Sequence, residues 1–460
     1  MLFNSVLFLL FFAIVTVGYY LLPHRFRWIW LLSASCYFYM YFKPAYILII
    51  FFTIIIDYIA GLLIERAYGQ KRKLLLITSL LANIGVLAFY KYYNFLADNV
   101  NLFAANLHLQ QMPLISLILP IGLSFHTFQA MSYTIEVYRG NQSAERHLGI
   151  YSLYVLFYPQ MVAGPIERPQ HILHQFYKKI NFDNKTFFSG LFLMSIGFFK
   201  KVVIADRLGL YVDPVFSDSH HHSGLDLLIG TYFFAFQIYC DFSGYSDIAI
   251  GAALTLGIQL MQNFNTPYLS KNIPEFWKRW HISLSTWFRD YVYIPLGGNR
   301  KGFYFTCINL LIVFLLSGLW HGADWKYVVW GAIHGIFLIG YQLLNKYNVT
   351  IKTYRPINLI FTFNLVCLAW IFFRAKSVVD ATYILTKIFS GSYVYTAAST
   401  MLTPEIFYCA TLILILLGGE RYLKKHQFAI STKLAVTAVL IIACYLFGVF
   451  NESQFIYFQF

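Results

Sequence analysis

Phe303-Tyr304-Phe305-Thr306-Cys307-Ile308-Asn309-Leu310-Leu311-Ile312-Val313-Phe314-Leu315-Leu316-Ser317-Gly318-Leu319-Trp320-His321-Gly322 is an apolar run without a formal charge that closes on a histidine. About 20 residues of this kind, each rising roughly 1.5 Å in a helix, cover the hydrocarbon thickness of a bilayer. The stretch therefore predicts a membrane-spanning helix. Similar runs recur through all 460 residues, of which 59% are hydrophobic and 12% charged, about half the charged share of an average soluble domain. No polar block is long enough to fold by itself, so the chain reads as an all-α, polytopic transmembrane bundle forming one domain over residues 1–460. The first run, residues 2–22, has no Lys or Arg before it and no small-residue cleavage site after it. It is expected to remain as a spanning helix and not to be removed as a signal peptide.

Basic residues sit in short clusters between these runs. That is the positive-inside pattern of a multispan protein, and it gives nucleic-acid binding no support even at a net charge of +14. His24, Arg25 and Arg27 follow the first run, and Arg66, Lys71, Arg72 and Lys73 follow a pair of short spans within residues 28–64. Both clusters are cytoplasmic if the N-terminus lies outside. Residues 74–95 then exit, and residues 114–138 return to Arg139 and Arg146. Further on, Arg300 and Lys301 precede the exiting run at 303–320, and residues 327–344 return to Lys346, Lys352 and Arg355. Residues 357–373 exit, 404–418 return to Lys424 and Lys425, and 434–450 exit last, with Arg374 and Lys376 as the one conflict. The tracing gives about eleven spans, with both termini extracytoplasmic. Between residues 140 and 260 the apolar segments are broken by Pro159, Gly164 and Pro165. Such backbone survives at membrane depth only when buried in protein or facing a water-filled cavity, which predicts re-entrant or interfacial helices there.

Residues 265–302 have a different composition. Lys271, Lys278, Arg279, Arg289, Arg300 and Lys301 alternate with Phe276, Trp277, Trp280, Trp287, Phe288 and Tyr291, the mixture found in helices lying along a headgroup layer. Membrane anchoring by snorkelling cations and aromatic rings accounts for it. So does a cytoplasmic shelf for an anionic ligand such as coenzyme A, with Lys278, Arg279, Arg289, Trp277 and Trp280 as its contacts. The six cysteines stand singly in apolar surroundings without disulfide or metal-ligand spacing.

An ionisable ring in hydrocarbon is a functional-site hypothesis by default. His321 either is satisfied by a neighbouring helix or serves as a general base, since an imidazole kept neutral by desolvation accepts a hydroxyl proton near neutral pH. Asp324 is either its orienting partner or a polar loop residue. His281 alone would be an ordinary interfacial histidine. Asp241, Ser243, Tyr245 and Asp247 lie within another apolar run; on a helix Ser243 and Asp247 share one face, and Asp241 and Tyr245 another. Buried carboxylates need partners, and Arg279 and Arg289 are the expected ones. The run His220, His221, His222 cannot converge on one metal ion and reads as a solvated loop. His126, His171, His174 and His334 carry no spacing that marks them, and no metal site is expected.

Four stretches carry a resemblance: Tyr158-Pro159-Gln160-Met161-Val162-Ala163-Gly164-Pro165-Ile166; Asp241-Phe242-Ser243-Gly244-Tyr245-Ser246-Asp247; Phe276-Trp277-Lys278-Arg279-Trp280-His281-Ile282-Ser283-Leu284-Ser285-Thr286-Trp287-Phe288-Arg289-Asp290-Tyr291; and Gly318-Leu319-Trp320-His321-Gly322. In order and spacing the chain resembles the membrane-bound O-acyltransferase family. It is most similar to the bacterial alginate and peptidoglycan O-acetyltransferases and the teichoic-acid D-alanyl exporter.

The resemblance implies helices arranged around a central tunnel, with an acyl donor entering from the cytoplasm and the acyl group leaving for an outer acceptor. It implies His321 as the catalytic histidine and His281 as the second one. Acetyl-CoA is the implied donor substrate, with no bound cofactor. The acceptor is a cell-surface polysaccharide, reached through a periplasmic partner resembling SGNH hydrolases. The ending Phe455-Ile456-Tyr457-Phe458-Gln459-Phe460 looks like the aromatic tail of this branch. Residues 451–460 are expected outside, where they serve either as an interfacial anchor or as an acyl relay through the Tyr457 phenol. D-alanyl transfer to teichoic acid is the rival within the class. A proton-coupled transporter or flippase is the rival outside it, although such folds show repeated halves and none is visible here.

Overall fold

The computed structural model describes residues 1–116, 119–161, 164–349, 354–391, 403–426, 428–450 and 456. Every regular element among the described residues is a helix. Nine of these helices are long and apolar enough to cross a membrane, and Val6–Leu21 is a shorter apolar one. The chain is a multi-pass membrane protein. It divides into two compact units, Met1–Met194 with Ile248–Met261, and Ser195–Asp247 with Gln262–Phe460.

In the first unit the helices are joined by buried polar contacts. Asp57, on Tyr46–Arg66, accepts hydrogen bonds from Ser79 Oγ (2.6 Å) and Asn83 Nδ2 (2.8 and 2.9 Å) on Gly69–Leu87. Contacts of this type hold helices together where hydrophobicity cannot discriminate between protein and lipid. The run at 114–138, expected to span as a whole, is helical among the described residues only within Leu123–Arg139. Gly122 stands immediately before that helix. Its φ of +76° breaks the helical path, and a Cβ there would stand 2.7 Å from the Met161 carbonyl oxygen. Residues 164–167 are irregular and buried, and before them the Gln129 and Gln160 amides both donate to the Tyr154 carbonyl. The buried Glu167 carboxylate accepts the Met261 N–H at 2.5 Å. Polar backbone at depth is satisfied inside the protein, as the lipid environment requires.

In the second unit two devices position the functional region. Gly244 lets two helices meet at backbone distance, because a Cβ there would lie 2.8 Å from the Gly197 carbonyl oxygen and 3.2 Å from the Lys201 nitrogen. This approach brings the π-helical stretch Phe199–Ala205 against Gly224–Thr255. The second device is the hairpin of Phe303–His321 and Trp325–Lys346. A Cβ on Gly318 would stand 2.2 Å from the Tyr327 carbonyl oxygen, and one on Gly331 2.2 Å from that of Phe314, the close packing that small residues allow between membrane helices. Between residues 262 and 302 the chain forms only short helical pieces, the 3-10 turn Pro267–Leu269, Ile273–Trp277, Ile282–Phe288 and the π turn Arg289–Tyr293.

Candidate active site

His281 precedes Ile282–Phe288 and holds φ 43° and ψ 56°, the left-handed region. Few residues other than glycine occupy it. The conformation is held because His281 caps its own helix: Nδ1 accepts the Leu284 N–H (3.4 Å) and the carbonyl accepts the Ser285 N–H (2.9 Å). With Nδ1 accepting, the neutral ring carries its proton on Nε2. The ring is fully buried, 4.7 Å from the Phe242 ring and 6.1 Å from that of Trp320. Burial outweighs the local hydrogen bond and pushes its pKa down to about 3, so it stays neutral throughout the physiological range.

His321 is the last residue of Phe303–His321. It is buried against Trp320, Trp330 and Phe373, with centroids 5.0, 4.9 and 5.3 Å away. Trp320 thus touches both histidines that the sequence singled out. Asp324 takes the loop role: it caps Trp325–Lys346 by accepting the Lys326 N–H at 2.9 Å.

A third histidine, passed over in the sequence, lies in the same aromatic cluster. His334 is fully buried, and its Nδ1 accepts the Trp277 Nε1–H at 3.3 Å. Trp330 stands between it and His321, 5.0 and 4.9 Å from the two rings. A signal was available, since Gly331 and Gly335 bracket His334 in the small-xxx-small spacing that brings membrane helices into close contact.

Beside this cluster opens a cavity of about 510 Å³, lined by Trp277, Lys278, Leu284, Phe288, Arg289 and Ser317, among others. Leu284 donates to His281, and Ser317 is one helical turn before His321. The volume lies in the range of sites for small organic ligands. Lys278 and Arg289 are exposed, while the rest of the wall is largely apolar. Of the other shelf residues, Arg279 is pinned to Glu275 (2.7 Å) and Thr266 (3.3 Å). Trp280 is buried among Tyr239, Phe264, Tyr268, Phe276 and Trp370. Neither lines the cavity, so the cationic rim is narrower than composition suggested.

The expected arginine partners of Asp241 and Asp247 are corrected by the structure. Asp241 pairs with Lys201 (2.6 Å), and Asp247 with Lys200 (3.0 Å). Lys200 also meets Glu420 (3.1 Å), and Lys201 meets Asp206 (2.7 Å). Arg289 lies against its neighbour Asp290 (2.7 Å). Two lysines inside an apolar run were visible in the sequence, and they are the partners because Gly244 brings the helices together. Ser243 is buried on Gly224–Thr255. Tyr457 lies outside the described residues.

The family model described as MBOAT, membrane-bound O-acyltransferase family, matches residues 58–379, a stretch containing both singled-out histidines, His334, the cavity and both lysine–aspartate pairs. The chain belongs to the membrane-bound O-acyltransferase family. It is 39% identical over 393 residues to a protein of Azotobacter vinelandii named probable alginate O-acetylase, covering 85% of this chain and 78% of that one. With the peptidoglycan O-acetyltransferase of Helicobacter pylori it shares 36% identity over 422 residues, covering 84% and 79%. The teichoic acid D-alanyltransferase of Bacillus subtilis is 29% identical over 274 residues, 56% of this chain and 69% of that protein. As a member of the membrane-bound O-acyltransferase family this protein is an O-acyltransferase, and the transporter reading falls away.

Proposed function

We propose that this membrane-bound O-acyltransferase is an inner-membrane O-acetyltransferase that takes acetyl groups from cytoplasmic acetyl-CoA and delivers them towards a cell-surface polysaccharide. The observation that carries the reading is the cavity with Lys278 and Arg289 exposed on its wall; His281 and His321 do not line it, but its wall residue Leu284 is hydrogen-bonded to His281, and its wall residue Ser317 lies one helical turn before His321. The phosphates of coenzyme A complement the two cations, and the acyl-bearing arm suits the apolar interior. The names of the A. vinelandii and H. pylori relatives support acetyl as the group moved and a surface polysaccharide as the acceptor.

In the proposed chemistry His321 removes the proton from an acceptor hydroxyl as its oxygen attacks the thioester carbonyl. His281, neutral and protonated on Nε2, donates to the oxyanion of the tetrahedral intermediate. The carbon–sulfur bond then breaks and the proton passes from His321 to the departing thiol, giving an oxygen ester and free coenzyme A. The first acceptor is the Tyr457 phenol. A second transfer, onto a serine of a periplasmic SGNH-hydrolase-like partner, divides a difficult crossing into two easier steps.

Transfer of radiolabel from acetyl-CoA to the purified protein tests this. Label is expected on the wild type and on neither His321→Ala nor Tyr457→Phe. Label surviving in His321→Ala would remove the base, and label surviving in Tyr457→Phe would move the acceptor elsewhere. A folded wild type that takes label only from carrier-bound D-alanine would favour the activity named in the B. subtilis relative.

A further inference from the structure

Among the described residues, Lys200 and Lys201 face four carboxylates, those of Asp206, Asp241, Asp247 and Glu420, of which Asp206 and Asp241 are buried. Burying a carboxylate without enough donors is strongly unfavourable. Asp241 uses both carboxylate oxygens: Oδ1 takes the Lys201 ammonium at 2.6 Å, and Oδ2 accepts the main-chain N–H of Ile456 at 2.9 Å. Asp241 and Ile456 are both buried. A second main-chain contact lies beside the first. The i to i+5 pattern of Phe199–Ala205 interrupts the ordinary helical ladder, as π-bulges do, and the Val202 carbonyl accepts the Val449 N–H at 2.8 Å. Both contacts take the segment by its backbone, independently of its side chains.

We propose that Lys201, Asp241 and the Val202 carbonyl form a main-chain clip for the chain's own C-terminal segment, with Asp241 as the positioning residue that seats Ile456. The clip adjoins the candidate active site: Phe242, next to Asp241, has its ring 4.7 Å from that of His281. Tyr457 follows Ile456 in the chain. The consequence for acyl transfer rests on the reading of Tyr457 as acyl carrier; the clip itself does not.

Hydrogen exchange at the Ile456 amide, measured on the full chain in detergent, tests it. In wild type this amide is expected to exchange about 100-fold or more slowly than in an unstructured peptide. Asp241→Ala should abolish the protection. Asp241→Asn keeps the side-chain volume and leaves Lys201 on Asp206, so it folds even if the alanine variant does not; a neutral amide accepts more weakly, and exchange should accelerate about tenfold. Asp247→Asn, which also removes a carboxylate from the cluster, should leave the Ile456 amide protected. An amide unprotected in wild type, or accelerated equally by Asp241→Asn and Asp247→Asn, overturns the clip. The two readings separate cleanly. Label retained in Tyr457→Phe with the Ile456 amide protected sinks the relay alone, and label lost in Tyr457→Phe with the amide unprotected sinks the clip alone.

Discussion

His281 combines two unfavourable states, a left-handed backbone and a fully buried imidazole, of a kind that persists only where surrounding structure enforces it. Its titration has a definite sign. Below its ordinary pKa of about 6.5 the unfolded chain binds a proton at this ring, whereas the folded protein, with the pKa pushed down to about 3, does not. The contribution to stability is therefore complete above about pH 6.5 and is lost as the pH falls towards 3. Thermal unfolding in detergent should show wild type weakening across that window. His281→Asn should flatten the fall, since asparagine tolerates the left-handed region and can cap the helix without titrating. For His321, the His321→Ala variant should lower transfer about 100-fold or more while KM for acetyl-CoA stays within about threefold; steady-state kinetics on that variant and wild type check this. His321 could be read in the sequence as a candidate because any titratable ring in an apolar run stands out. For His334 the sequence offered only the Gly331 and Gly335 spacing, which marks a close helix contact but not its partner, the Trp277 indole that meets it across two elements.

At the scale of elements, the hairpin of Phe303–His321 and Trp325–Lys346 depends on glycines whose missing Cβ atoms would meet main chain. Gly331→Ala should destabilise the protein by about 1–3 kcal/mol, because backbone cannot yield as a side-chain tip does. Gly340→Ala, on the same helix but with open space around it, should be neutral or slightly stabilising. Melting curves in detergent distinguish the two. Most long apolar runs became helices close to where composition put them, because transfer free energy accumulates residue by residue along the chain. The run at 114–138 did not, since its helix begins only after Gly122. Apolar content sets the capacity to span, but backbone conformation, here with Pro120 and a left-handed Gly122 before the helix, decides where it starts.

Across the whole molecule, the lysine and carboxylate cluster ties together residues far apart in the chain, from Lys200 and Lys201 to Glu420 and Ile456. Lys201→Met would leave Asp206 and Asp241 buried without their cation and should destabilise the protein by about 3–5 kcal/mol. Lys278→Met, at an exposed position, should change stability little while weakening acetyl-CoA binding; unfolding and equilibrium binding read the two effects separately. The charge tracing further predicts that a periplasm-dependent reporter fused after Phe460 is active and one inserted at Lys71 is not. The sequence by itself determined that this protein lives in a membrane, which runs can cross it, and that His321 is out of place there. Hydropathy and local charge are properties of consecutive residues, so they can be summed without knowing the fold. Only the tertiary structure decided that Trp320 joins His281 to His321, that His334 holds Trp277, and that lysines, not arginines, answer Asp241 and Asp247. Those pairings depend on which helix faces meet, and here that is decided by glycines whose small size matters only once a second backbone lies against them.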